Sequence, residues 1–101
     1  MSTSGTELRE AMAQSLSVTD EELIVHLADG RTITAPLAWF PRLVHGRPAE
    51  RSNWRLIAAG EGIHWPDLDE DISVRSLLAG RPSGETPESL RRWLAGRGKV
   101  G

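Results

Sequence analysis

Apolar and polar residues alternate along this chain in short runs, and most runs are closed by a turn-forming pair. Between Ala13 and Val18, Leu16 and Val18 share one face of a two-residue period, which predicts a strand. Thr19-Asp20-Glu21 reads as a turn. Glu22 to Ala28 (ELIVHLA) alternates again, with Leu23, Val25 and Leu27 on one side. Asp29-Gly30 supplies residues that tolerate positive φ, and Arg31 to Ala35 (RTITA) returns with Ile33 and Ala35 inward. The pattern predicts an antiparallel hairpin closed at Asp29-Gly30.

Pro36 stops that strand. Leu37 to Val44 (LAWFPRLV) predicts a short helix, with Trp39–Leu43 and Phe40–Val44 as i,i+4 pairs facing the sheet. Pro48 to Asn53 predicts another helical turn, Trp54 to Ala58 a strand, and Gly60-Glu61-Gly62 a turn into a returning strand, Ile63 to Trp65. Asp67 to Asp71 reads as a polar connection. Ile72-Ser73-Val74 then opens a helix with Ser73 as N-cap, Ile72 and Leu77 as a hydrophobic staple, Leu77 and Leu78 buried, and Gly80 as the stop. After the connector Arg81 to Glu85, Thr86-Pro87-Glu88 starts a last helix whose stripe is Leu90, Trp93 and Leu94, ending at Gly96. The fold class expected is α+β: a small antiparallel β-meander with short helices and an appended C-terminal amphipathic helix. The expected organisation is a flexible N-terminus over 1–9, one domain over 10–80, and a linker plus helix over 81–101.

Composition adds exclusions. The chain has 101 residues, enough for one domain. Apolar residues make up 39% and charged residues 26%, a globular balance that excludes a disordered chain. Without cysteine there is no disulfide, thiolate zinc site or cysteine nucleophile, and the absence fits a reducing compartment. No apolar run reaches the ~20 residues of a membrane span, and Met1 to Gln14 lacks a signal-peptide core. The expected location is the cytoplasm. The net charge of −2 does not suit wholesale neutralisation of nucleic acid. Charge is segregated, however. Glu61, Asp67, Asp69, Glu70 and Asp71 fall in a stretch without Lys or Arg, and Arg91, Arg92, Arg97 and Lys99 in one without acids.

The acid stretch is the main candidate for chemistry. Asp67, Asp69 and Asp71 have the spacing that opens a calcium loop, but Ile72 stands where glycine is needed and Leu78 where a bidentate glutamate is needed. A solvated approach to the next helix is the plainer reading. His26, His45 and His64 have no zinc-motif spacing, and His64 is expected to bond a neighbouring carboxylate. No serine lies in a nucleophile motif. No cofactor, metal or enzymatic activity is expected. Trp39, Trp54 and Trp65 read as core anchors. Trp93, flanked by Arg91, Arg92 and Arg97, lies on a short helix whose stripe must dock on its own domain or on a partner. The candidate partner-binding residues are Trp93, Arg91, Arg92, Leu90 and Leu94 on that helix, and His64, Asp67, Asp69 and Asp71 on the acid stretch.

Leu27-x-Asp29-Gly30-Arg31, Trp39-Phe40-Pro41-Arg42-Leu43, Glu50-Arg51-x-Asn53-Trp54 and the run Gly62-Ile63-His64-Trp65-Pro66-Asp67-Leu68-Asp69-Glu70-Asp71-Ile72-Ser73-Val74 together resemble the bacterial domain-of-unknown-function family 2442 over roughly residues 10–80. The Arg-Trp-Leu tail resembles the C-terminal extension of one subset of that family. The resemblance implies a small β-meander with short helices. It assigns no activity or catalytic residue, and its gene context suggests one member of a toxin–antitoxin pair. The expected function is a non-enzymatic protein-binding or regulatory module, antitoxin-like, with a protein partner (an adjacent gene's product) or a homo-oligomer. The alternative is a component of a nucleic-acid-associated transcriptional regulator.

Overall fold

The computed structural model describes residues 11–98. The expected flexible segment 1–9 and Lys99 lie outside them. Two three-stranded antiparallel sheets form the frame, each a simple meander. The first contains β1 (Ala13–Val18), β2 (Glu22–Leu27) and β3 (Thr32–Pro36). A 3₁₀ turn (Leu37–Trp39), α1 (Pro41–Val44) and α2 (Pro48–Ser52) lead to the second, made of β4 (Arg55–Ile57), β5 (Gly62–Trp65) and β6 (Glu70–Ser73). Then come α3 (Val74–Leu78) and α4 (Pro87–Gly98). The α+β meander with a C-terminal helix is the architecture expected from the pattern.

The hairpin at Asp29-Gly30 forms for the reason its sequence offers. Gly30 has φ +94°, and the Asp29 carboxylate accepts the Arg31 amide at 3.0 Å. Leu23, Val25 and Leu27 all point into the core and are at most 2% exposed. Across the second sheet, Ile63 and Trp65 of β5 face inward and are fully buried. The Trp65 indole donates to the Arg51 carbonyl at 3.0 Å, so its one polar group is paired. Arg51 is itself buried and caps the end of α1, donating to the carbonyls of Leu43 (2.8 Å) and Val44 (2.9 Å) and to Asp20 (2.8 Å).

Several expectations are corrected. Leu37 to Val44 is not one helix. Phe40 leaves helical geometry, at φ −128° and ψ 83°, and Pro41 restarts the chain as the first residue of α1. Leu37, Phe40 and Leu43 therefore fill the core at three-residue spacing, while Val44 is 42% exposed. Next, the polar stretch through Asp71 is not all connection, because Glu70–Ser73 pair with β5 as strand β6. Ile72 belongs to that strand and α3 starts only at Val74, with Ser73 Oγ accepting the Ser76 amide at 3.0 Å as the expected N-cap. Finally, Leu78 is 43% exposed rather than buried, and the last helix runs past Gly96 to Gly98.

The β4–β5 turn holds a strained run of backbone. Ala58 (φ 50°), Ala59 (φ 57°) and Gly60 (φ +100°) are consecutive positive-φ residues. A Cβ on Gly60 would stand 2.6 Å from the Ala13 carbonyl oxygen, so this turn rests directly on the backbone of β1.

Candidate functional site

The site begins with the register of β5 against β6. The Val74 amide donates to the Glu61 carbonyl at 2.9 Å, which makes Gly62–Ser73 and His64–Asp71 the non-hydrogen-bonded pairs of this ladder. Side chains in such pairs stand close together. His64 Nδ1 and Asp71 Oδ1 accordingly meet at 2.6 Å, the carboxylate contact expected for this histidine. The same register turns the backbone polar groups of Asp71 and Ser73 away from β5, toward the free edge of the sheet.

A groove of about 590 Å³ runs along that edge. One wall is β6 with Asp69 before it. The other is the stretch Arg81–Thr86, which has no regular secondary structure. Phe40 and Ile72 supply apolar lining, and Ser73, Ser76, Ser83 and Ser89 supply hydroxyls. The connector is pinned because the Ser83 amide donates to the Trp39 carbonyl at 2.9 Å. Four carboxylates (Asp69, Glu70, Asp71, Glu85) and two guanidiniums (Arg42, Arg81) face the groove.

Arg42 joins the two walls. Its Nε donates to Glu85 Oε1 at 2.5 Å, its Nη2 to Glu85 Oε2 at 3.3 Å, and its Nη1 to the Asp69 carbonyl at 2.8 Å. The Glu85 side chain is 7% exposed and Arg42 16%, so the pair is largely shielded from water. The Arg42 hydrogen bond, reinforced by one from Ser89, holds the Glu85 carboxyl below its ordinary range. Glu70, on the inner face of β6, has the opposite environment. Its Oε1 accepts the Asp71 amide at 3.1 Å, but Oε2 is buried with no hydrogen-bond partner among the described residues. Burial pushes this carboxyl above its usual range, against the Asp71 amide bond and the Arg42 charge that pull it down.

The C-terminal helix α4 lies on the body. Trp93 is half-buried against the core and sits between two guanidiniums, with Arg42 at 5.2 Å and Arg97 at 4.7 Å from its ring centre. Arg97 bonds Glu50 at 2.7 Å and the Asp67 carbonyl at 3.4 Å. The Arg97 hydrogen bond, followed by that from the Arg47 amide, holds the Glu50 carboxyl below its ordinary range. Thr86 caps the helix, its Oγ1 accepting the Ser89 amide at 3.1 Å.

The candidate residues from the sequence thus divide. Asp69 and Asp71 line the groove, and His64 reaches it only through Asp71. Asp67 points elsewhere, accepting from Asn53 Nδ2 at 2.9 Å. Leu90, Trp93 and Leu94 are half-buried, while Arg91 and Arg92 are exposed. The sequence reasoning missed Arg42, Glu70 and Glu85. Glu70 had one available signal, since its alternation with Ile72 places it on an inner strand face. The pairing of Arg42 with Glu85 spans 43 residues and had none. Among the described residues no three His, Asp or Glu side chains come together in a metal-binding group, and no helix is long and apolar enough to cross a membrane.

Fold and groove define a small α+β module of two β-meanders with a polar cleft at one sheet edge. The chain belongs to the family described as Protein of unknown function (DUF2442), which matches residues 13–83. Two solved structures are similar. One is a crystal structure of a protein of unknown function from Rhodospirillum rubrum, 25% identical, with TM-score 0.63, covering 78% of this chain and 95% of its own. The other is a solution structure of an uncharacterised protein from Chromobacterium violaceum, 18% identical, with TM-score 0.63, covering 81% of this chain and 83% of its own. No curated protein matches the chain. Helix α4 lies beyond the family match, so the groove is composite: β6, Phe40 and Arg42 are family body, and Gly84 to Ser89 are added by the C-terminal segment.

Proposed function

We infer that this protein is a non-catalytic protein-binding module whose β6-edge groove receives an extended segment of a partner. One observation carries the reading. The groove is bounded by a free strand edge on one side and a pinned connector on the other, a shape suited to a chain lying lengthwise. Apolar floor residues and a charged rim are the usual anatomy of such a surface. The regulatory form of this reading is an antitoxin-like subunit held by its partner in the cytoplasm.

The experiment uses an open position on the groove wall. A Cβ on Gly84 meets nothing within 4 Å, and its φ is not in the left-handed region, so a large side chain fits there without disturbing the fold. Tagged full-length protein purified from its own cells should bring down a stoichiometric partner, and Gly84→Trp should lose it. Retention of the same partner by a folded Gly84→Trp variant would place the interface elsewhere and overturn the reading.

A further inference from the structure

The outer face of the second sheet carries a row of three polar side chains, one from each strand. His64 stands in the middle on β5, with Asp71 opposite it on β6 and Arg55 opposite it on β4. Directly opposed residues of an antiparallel pair are side-chain neighbours, so the ring is flanked by an acid on one side and a base on the other. The contact with Asp71 is closed, at 2.6 Å between Nδ1 and Oδ1. An ionised carboxylate only accepts, so Nδ1 carries the proton and the lone pair of the neutral ring lies on Nε2. Nε2 has no hydrogen-bond partner among the described residues and is not sealed from water. The other two histidines differ. His26 Nδ1 lies 3.1 Å from the Thr32 hydroxyl, and neither exposed His26 nor exposed His45 meets a carboxylate among the described residues.

We propose that His64 Nε2 is the acceptor for a phosphoryl group delivered by an N-phosphoryl donor (a phosphoramidate, or the phosphohistidine of another protein). A ring whose proton is held by a carboxylate and whose second nitrogen is free is an activated nucleophile. In the step itself the Nε2 lone pair forms the new N–P bond as the donor's P–N bond breaks. The donor nitrogen is already protonated, so it leaves as a neutral amine or imidazole with that electron pair. The ring becomes an imidazolium, and Asp71 stabilises this charge through the Nδ1 proton without taking it. Arg55 sets a positive charge on the opposite side of the ring, which suits phosphoryl oxygens and disfavours a metal cation at the same nitrogen. The site does not depend on what the groove holds.

The test is incubation of the full chain with potassium phosphoramidate, with the rate of phosphorylation followed separately at His64, His26 and His45 by peptide mass. The two exposed histidines serve as references within the same molecule, so a general change in folding or reagent does not alter the comparison. His64 should react fastest, and nitrogen–phosphorus coupling should place the phosphoryl group on Nε2. Asp71→Asn removes the charge and keeps the side chain's size. It should slow His64 relative to the references by roughly tenfold, the scale of one charge-assisted hydrogen bond. Arg55→Ala should slow it as well. A rate at His64 no higher than at His26 and His45, a product on Nδ1, or a relative rate unchanged by Asp71→Asn would each overturn the proposal.

Discussion

Several residues in this fold hold their positions at a cost. Ala59 sits at φ 57° where glycine would be at ease. Ala59→Gly should stabilise the protein by about 0.5–1 kcal/mol, read from chemical denaturation, because relief of the left-handed strain outweighs the added freedom of the unfolded chain. Gly60 is the converse. A methyl there would both adopt φ +100° and strike the Ala13 carbonyl, so Gly60→Ala should cost about 2–3 kcal/mol, against almost nothing for Gly84→Ala. Glu70 carries a different cost. Its carboxyl is raised by burial, so its ionisation works against folding once pH rises through the normal carboxylate range. Glu70→Gln should therefore raise the melting temperature at pH 7 and leave it unchanged where Glu70 is already protonated. Glu70 is half-buried and not sealed from water, so the gain is small. Of these three residues, the sequence marked Gly60 alone, through its place in a glycine-rich turn. The strain at Ala59 and the unpaired oxygen of Glu70 are set by tertiary approach, which no local pattern encodes.

At the scale of elements, the strands were the most legible part of the chain. Leu23-x-Val25-x-Leu27 and Asp29-Gly30 fix β2, its turn and β3, because a one-residue slip would turn all three buried residues outward. Strand β6 was hidden because four of the five residues from Asp67 to Asp71 are acidic, and polar composition reads as loop unless a neighbouring strand is known to pair with it. The docking of α4 depends on long-range partners and was equally closed to pattern reading. Its attachment rests on Trp93 between Arg42 and Arg97 and on the pairs Arg42–Glu85 and Arg97–Glu50. Trp93→Ala should loosen the helix by about 1–2 kcal/mol in amide-exchange protection of α4 while the exchange of β2 and β5 changes little. The pH dependence follows from the same pairs. Glu50 and Glu85 both have lowered pKa values, so their stabilisation is complete above the ordinary carboxylate range and is lost as pH falls through the lowered values. Acidification below about pH 4 should shift and broaden the Trp93 indole resonance before the body unfolds.

At the scale of the whole molecule, the family match ends at residue 83, before α4 begins. The groove is thus a junction between the family-matched body and the C-terminal segment. The core of the body includes Leu23, Ile63, Trp65 and Leu68, all fully buried and all within the family-matched residues. A chain ending at residue 83 should still unfold cooperatively, at a melting temperature a few degrees lower. It should also lose the groove wall that Gly84, Glu85 and Ser89 provide. Occupation of this groove by a partner is read in the cell by photocrosslinking. A photoreactive residue in place of Arg81, on the groove lip, should give one discrete adduct that Gly84→Trp abolishes. The same residue in place of Thr34, exposed on the first sheet, should give none. Equal crosslinking from both positions, or an adduct at 81 indifferent to Gly84→Trp, would contradict it.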